Sequence, residues 1–164
     1  MKQLMLIRHA KSSWDHPELS DFDRPLNRRG QRDLPLMVAR VCALGLEPQR
    51  LLYSSALRTS ITARELARAL QLPASRCLAV PEMYQASHET LLNLLQGQPD
   101  TLDSILLVGH NPGLADLGHY LSGEPFAHFP TAAFAHLQLD VHSWSELAEN
   151  CARLQQLDYP KLHN

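Results

Sequence analysis

Arginine and histidine stand side by side at Arg8-His9, directly after an apolar run. A second histidine follows another such run, in Val108-Gly109-His110-Asn111-Pro112. Between them, Ser54-Ser55-Ala56-Leu57-Arg58 carries a further arginine. Guanidinium groups offer forked donors that match phosphate oxygens, and imidazole is the side chain whose ordinary pKa suits nucleophilic work near neutral pH. Brought together, two arginines and two histidines make a site for a dianion, with phosphate the natural guest. Each taken singly has a plainer reading: a hydrogen-bonded turn histidine, a helix cap with a solvated arginine, a tight Gly-His-Asn-Pro-Gly turn. Their joint placement in the chain is what favours a site.

Leu4-Met5-Leu6-Ile7 and Ile105-Leu106-Leu107-Val108 are continuously apolar, the pattern of strands buried on both faces. Residues 50–54 and 77–80 read as two more strands. Ala135, Leu137 and Leu139 alternate with polar residues, which predicts a strand with one wet face near a sheet edge. Helical spacing links Leu34, Met37, Val38 and Val41, with Pro35 requiring a start near Asp33 or a kink. It also links Ala63, Leu66, Ala67 and Leu70; Leu91, Leu94 and Leu95 behind a Ser87 cap; and Leu114, Leu117 and Leu121 between Pro112 and Gly123. Strands alternating with helices predict an α/β fold, a mostly parallel central sheet flanked by helices on both faces. In such sheets ligands bind beyond the carboxyl ends of the strands. Arg8-His9, Ser54–Arg58 and His110 all follow strands, and two helix starts, near Leu57 and Pro112, lie at the same end. Residues 15–27 are polar and turn-rich, a surface loop.

The chain has 164 residues, 45% hydrophobic and 20% charged, so it is read as one domain spanning 1–164 with a real core rather than a disordered chain. Fifteen Lys and Arg against seventeen Asp and Glu give a net charge of −2, with no bulk basic field for nucleic acid or a membrane. Cys42, Cys77 and Cys151 are too few and too far apart for a zinc knuckle or a disulfide framework, which points to reduced, mostly buried thiols and a cytoplasmic protein. No run is long enough for a signal-peptide core or a membrane span. No His-x-His, His-Glu-x-x-His or acidic cluster suggests a metal, so neither metal nor cofactor is expected.

Leu-Ile-Arg-His-Ala-Lys at 6–11, Ser-Ser-Ala-Leu-Arg-Thr at 54–59 and Val-Gly-His-Asn-Pro at 108–112 resemble the histidine phosphatase superfamily. More narrowly, with residues 24–30 and 129–133, the chain is similar to the short SixA-type phosphohistidine phosphatases, in order from about residue 4 to 140. The resemblance implies a phosphoglycerate mutase-like three-layer sandwich. It also implies His9 as the nucleophile that becomes phosphorylated, Arg8 and Arg58 as phosphate-binding arginines, and His110 as the second histidine of the pocket, binding phosphate when charged. Ala10 stands where the signature usually has Gly, and its methyl is expected to narrow the room beside the phosphate.

His9 must be neutral to attack, and nearby guanidinium charge favours that form. Its other ring nitrogen is expected to donate to a backbone carbonyl. Members of the wider superfamily place a carboxylate near the leaving oxygen; the candidate here is Glu82, just past the 77–80 strand. His88 and His128 are candidates for the pocket mouth, whereas His16, His142 and His163 read as solvated and His119 as a surface or packing residue. The implied activity is a metal-independent phosphatase, with phosphohistidine in a protein as substrate. Small phosphomonoesters, or binding of a phospho-ligand without efficient turnover, are the alternatives. A metal hydrolase lacks the ligands, and a mutase would need added loops.

Overall fold

The computed structural model describes every residue, Met1–Asn164. Six strands form one sheet in the order β3-β2-β4-β1-β5-β6: β1 (Lys2–Arg8), β2 (Arg50–Tyr53), β3 (Cys77–Ala79), β4 (Ser104–Gly109), β5 (Phe134–Leu139) and β6 (Ala152–Asp158). The first four run parallel to their neighbours, and β5 and β6 are antiparallel.

The apolar runs are continuous because each central strand feeds two cores. Leu4 and Leu6 join Leu52, Ile105 and Leu107 on one face, while Met5 and Ile7 join Leu51, Leu106 and Val108 on the other. Helices α3 (His88–Gln96) and α4 (Gly113–Ser122) cover the first face with Leu91, Leu95, Leu114, Leu117 and Leu121. Helices α1 (Arg28–Ala43) and α2 (Leu57–Ala69) cover the second with Leu34, Met37, Val38, Val41, Ala63 and Leu66. Three layers result, as the alternation of elements requires. No helix is long and apolar enough to cross a membrane.

Two elements differ from the sequence reading. Helix α1 begins at Arg28, capped by the Asn27 side chain accepting from Gly30 N, and continues through Pro35. Pro35 and Gln31, whose carbonyl loses its helical donor to the proline ring, are both exposed, and the buried face carries the helix past the break. Strand β5 lies near the edge, as its alternation predicts, pairing with β1 on one side and with the outermost strand β6 on the other. Strand β6 escapes sequence reading because a register shift between His136 and Leu137 disrupts the ladder, so its leucines stand three apart, at 154 and 157. The three cysteines are free and only partly buried.

Candidate active site

Register fixes the floor of the site. In the parallel β1–β4 pair Arg8 lies opposite Gly109, and His9 N donates to Gly109 O at 3.1 Å, so His9 and His110 leave the sheet side by side. Their rings stand 5.3 Å apart, centroid to centroid. Tyr53 lies opposite Val108, and Ser54 N donates to Val108 O at 3.1 Å, which starts α2 beside them. From the other side Ala132, at φ +62°, donates its N–H to both Arg8 O (3.2 Å) and His9 O (3.0 Å). A left-handed alanine is strained, and here it ties the end of β1 to the segment entering β5.

His9 is 7% exposed, and its Nδ1 donates to Ala10 O at 2.8 Å, which leaves Nε2 as the unprotonated nitrogen. Burial pushes its pKa down to about 3; His110, Arg58 and Arg8 push the same way and the Ala10 carbonyl opposes. His9 is therefore neutral at physiological pH. His110 Nε2 meets Ser54 Oγ at 2.8 Å. Burial, then Arg58 and Arg8, hold its pKa at about 4 against the pull of Asp21, so this imidazole is also neutral in the unliganded protein. The charged His110 expected from sequence thus requires an anion in the site to reverse that field.

Arg8 donates weakly from Nη1 to Phe129 O at 3.4 Å, and its buried Nε has no acceptor in the protein, which suits an anionic oxygen. Arg58 is fixed by one residue: Nη1 donates to Asp21 O at 2.7 Å and Nη2 to Asp21 Oδ2 at 3.0 Å. Bonds to the two terminal nitrogens leave the Nε edge of the fork available. Asp21 also accepts from Arg24 Nη1 at 2.9 Å and Tyr84 OH at 2.5 Å. The Tyr84 hydroxyl, then Arg24 and Arg58, hold the Asp21 carboxyl far below the usual carboxylate range despite partial burial. Burial and this carboxylate push the Tyr84 phenol up. The open cleft above His9 holds about 290 Å³; its cations are Arg8, Lys11, Arg24 and Arg58, and Asp21 is its one carboxylate.

Two close approaches hold the loops around the cleft. A Cβ on Gly30 would lie 2.1 Å from Lys11 O, so the start of α1 packs directly on the backbone after His9. A Cβ on Gly113 would lie 2.1 Å from Ala86 O, which seats the Tyr84–Ala86 segment against α4.

His9, Arg8, Arg58 and His110 all line this cleft. Glu82 does not: it is exposed on a short 3-10 turn, Pro81–Met83, with no hydrogen bond or ion pair. That turn points Tyr84, two residues on, toward Asp21 instead. Ala10 is fully buried among Met5, Ile7 and Ala63, and its N–H donates to Thr62 Oγ1 at 3.1 Å, so its methyl belongs to the core and does not crowd the cleft. His88 packs on Tyr120 and His128 on Tyr159, both outside the lining. His163 is not simply solvated; it meets the buried Asp158 at 2.6 Å. Sequence reading missed Asp21, Tyr84 and Trp14, which lie in segments without periodicity. Arg24 and Lys11 fell inside the quoted motifs without being assigned a role. No three His, Cys, Asp or Glu side chains converge to hold a metal ion.

Residues 4–100 match the histidine phosphatase superfamily (branch 1). An uncharacterized chloroplastic protein of Arabidopsis thaliana is 31% identical over 154 residues, 88% of this chain and 70% of that protein. A structure from Agrobacterium tumefaciens, assigned as the phosphohistidine phosphatase SixA, superposes with a TM-score of 0.82 at 29% identity, covering 97% of this chain and 98% of the other. The protein histidine phosphatase SixA complexed with tungstate gives a TM-score of 0.83 at 26% identity over 99% of both chains.

Proposed function

The chain belongs to the histidine phosphatase superfamily and is a phosphatase, and from that premise we propose that it is metal-independent, works through a phosphohistidine on His9, and removes phosphate from phosphohistidine in a protein. The observation that carries the chemistry is His9 itself: a buried, neutral imidazole with Nδ1 committed to Ala10 O and Nε2 free among two guanidinium groups and a second imidazole. Nε2 gives its lone pair to phosphorus in line with the leaving group, and the P–N bond of the substrate breaks onto the departing imidazole. Arg8 and Arg58 offset the charge on the equatorial oxygens, where a fixed fork outperforms a point charge. His110, protonated once a phosphoryl group lies against it, donates to a phosphoryl oxygen. Water then attacks phosphorus, the P–Nε2 bond breaks, and inorganic phosphate leaves with His9 restored.

The same cleft supports phosphohistidine over a phosphoester. An alkoxide leaves poorly without a proton. The one carboxylate in the cleft, Asp21, is ionised and already bonded to Arg58, Arg24 and Tyr84, so it is no acid. An imidazole leaving group departs already protonated and needs none. The test is turnover of a histidine-phosphorylated protein against a panel of small phosphomonoesters after exhaustive chelation, read as relative kcat/KM. A clear preference for phosphohistidine with activity unchanged by chelation is expected. Preference for a small ester makes that ester class the substrate, and a chelated enzyme revived only by zinc or magnesium overturns metal independence.

A further inference from the structure

One large apolar side chain, Trp14, lines the cationic cleft, and others that the chemistry does not use stand in the segments that carry Asp21 and Arg58. Of the eight large hydrophobic residues that stand exposed in the chain, Trp14 (75% exposed) lines the cleft, Leu19 and Phe22 belong to the loop that supplies Asp21, and Leu57 opens α2 immediately before Arg58, these three 37–38% exposed. Trp14 lines the cleft itself, with the Arg24 guanidinium 3.2 Å from the centroid of its ring. Stacking on one face fixes the indole while the rest stays in water, a rigid aromatic anchor of the kind that dominates protein contacts. Phe22 and Leu57 flank the Asp21–Arg58 pair, each next in sequence to one member, and Phe22 packs edge-on against Tyr84 at 5.1 Å. Exposed apolar groups next to a cationic cleft, on a chain that buries Trp144, Phe126, Phe129 and Phe134, mark a contact surface.

We infer that Trp14, Phe22 and Leu57 form a docking rim for the polypeptide around the phosphorylated histidine, one with apolar side chains beside that histidine. This rests on the phosphohistidine reading above. The occupant follows from charge and size together. Arg8, Lys11, Arg24 and Arg58 call for an anion at the centre, and the rim calls for apolar groups attached to it. A small phosphoester brings the first without the second, whereas a phosphorylated histidine in a polypeptide brings both. Trp14, held by Arg24, ties the two: the guanidinium it stacks on also donates to Asp21 and so to the seat of Arg58.

The test uses two peptides, each phosphorylated on a single histidine with phosphoramidate, one flanked by leucine and phenylalanine and the other by serine and glycine. Wild-type enzyme is expected to favour the apolar-flanked peptide in kcat/KM by at least about tenfold, equal to about 1.4 kcal/mol, and Trp14→Ala to lose that preference. Binding has its own readout. Of the two tryptophans, Trp144 is fully buried, so emission from the exposed Trp14 should shift to the blue when the unphosphorylated apolar peptide is added. Equal wild-type turnover of the two peptides overturns the rim alone. A preference that survives in Trp14→Ala, or a loss matched by an equal rise in the orthovanadate inhibition constant, overturns it as well, the latter by showing that Trp14 acts only through Arg24 on phosphate. A blue shift that depends on enzyme concentration without peptide assigns the rim to a second copy and overturns the peptide. Turnover of small esters with neither peptide cleaved overturns the phosphohistidine reading and the rim with it.

Discussion

His9 and His110 are carried by adjacent parallel strands whose backbones are hydrogen-bonded in register to their last residues, whereas Asp21, Arg24 and Trp14 come from residues 12–24, which hold one 3-10 turn and a single bridge between Ser12 and Leu26. The floor of the cleft is positioned by the sheet, and its side chains have few partners: His9 has one, and Arg8 Nε has none. The mouth is positioned by side chains, with Asp21 receiving bonds from Arg58, Arg24 and Tyr84, and Arg24 in turn holding Ser12 Oγ and Ser13 O. Rigid backbone with uncommitted donors suits a place where an anion must be bound and released. A network converging on one carboxylate suits a frame that keeps the same geometry with or without it.

If the floor does the chemistry, its substitutions should be the costliest. His9→Ala is expected to lower turnover by at least about 10³-fold while leaving the far-ultraviolet circular dichroism unchanged, since it removes the Nε2 lone pair that the proposed mechanism uses as nucleophile. Rapid acid-free quenching of the wild type should give a base-stable, acid-labile phosphate on His9, and phosphate mapped to serine or aspartate would remove the assignment. Arg58→Lys keeps the charge but loses the fork, so a fall of about 10²-fold in kcat/KM is expected. Near-wild-type turnover would mean that Arg58 contributes charge alone.

The same burial that keeps the floor neutral makes it costly in acid. His9 and His110 have folded pKa values of about 3 and about 4, below the ordinary 6.5 of the unfolded chain. Between roughly pH 6.5 and 4 the unfolded state therefore binds protons that the folded state refuses, so stability rises with pH and is lost as pH falls through that window, at up to about 1.4 kcal/mol per pH unit for each histidine. Urea denaturation at several pH values is expected to show a shallower slope in His9→Ala than in the wild type. Parallel slopes would show that His9 ionises as freely as in the unfolded chain.

The difference between floor and mouth also decides what sequence could reveal. Strands buried on both faces leave continuous apolar runs, and the residues that follow them must lie at one end of a parallel sheet, so the meeting of Arg8, His9, Arg58 and His110 at one cleft was legible. Asp21 was not, because a carboxylate in a turn-rich loop has no period to betray which way it faces; its partners Arg58 and Tyr84 stand 37 and 63 residues away. Strand β6 was lost to its register shift, and α1 was cut short because Pro35 is a louder local signal than the Asn27 cap.

Asp21→Asn probes the mouth. The amide still accepts one bond but no longer holds Arg58, Arg24 and Tyr84 by charge, so a fall of about tenfold in kcat/KM is expected, less than for Arg58→Lys. As a positioning residue Asp21 has a second readout. Its charge raises the pKa of His110, so in Asp21→Asn the His110 titration followed by NMR should move lower. An unchanged titration with a large loss of rate would make Asp21 a contact of the substrate.

The smallest effect belongs to the carboxylate that sequence placed nearest the site. Glu82 follows the right strand, at the end where ligands bind, and a phosphoester would need an acid there. The 3-10 turn that follows β3 instead leaves Glu82 exposed and unpaired, buries Met83 and delivers Tyr84 to Asp21. A solvated carboxylate outside the cleft neither donates a proton to a leaving group nor holds one that does. Glu82→Gln should therefore leave kcat/KM within about twofold on both a phosphohistidine peptide and a small phosphoester, the range of an ordinary surface substitution. Loss on the ester alone would mean that the 81–86 segment rotates when substrate binds and brings Glu82 to the leaving oxygen, giving the mouth the chemical role here reserved for the floor. Loss on neither leaves Asp21 as the only carboxylate at the cleft. On the proposed phosphohistidine reading an ionised Asp21 bonded to Arg58, Arg24 and Tyr84 is no handicap, because the leaving imidazole brings its own proton.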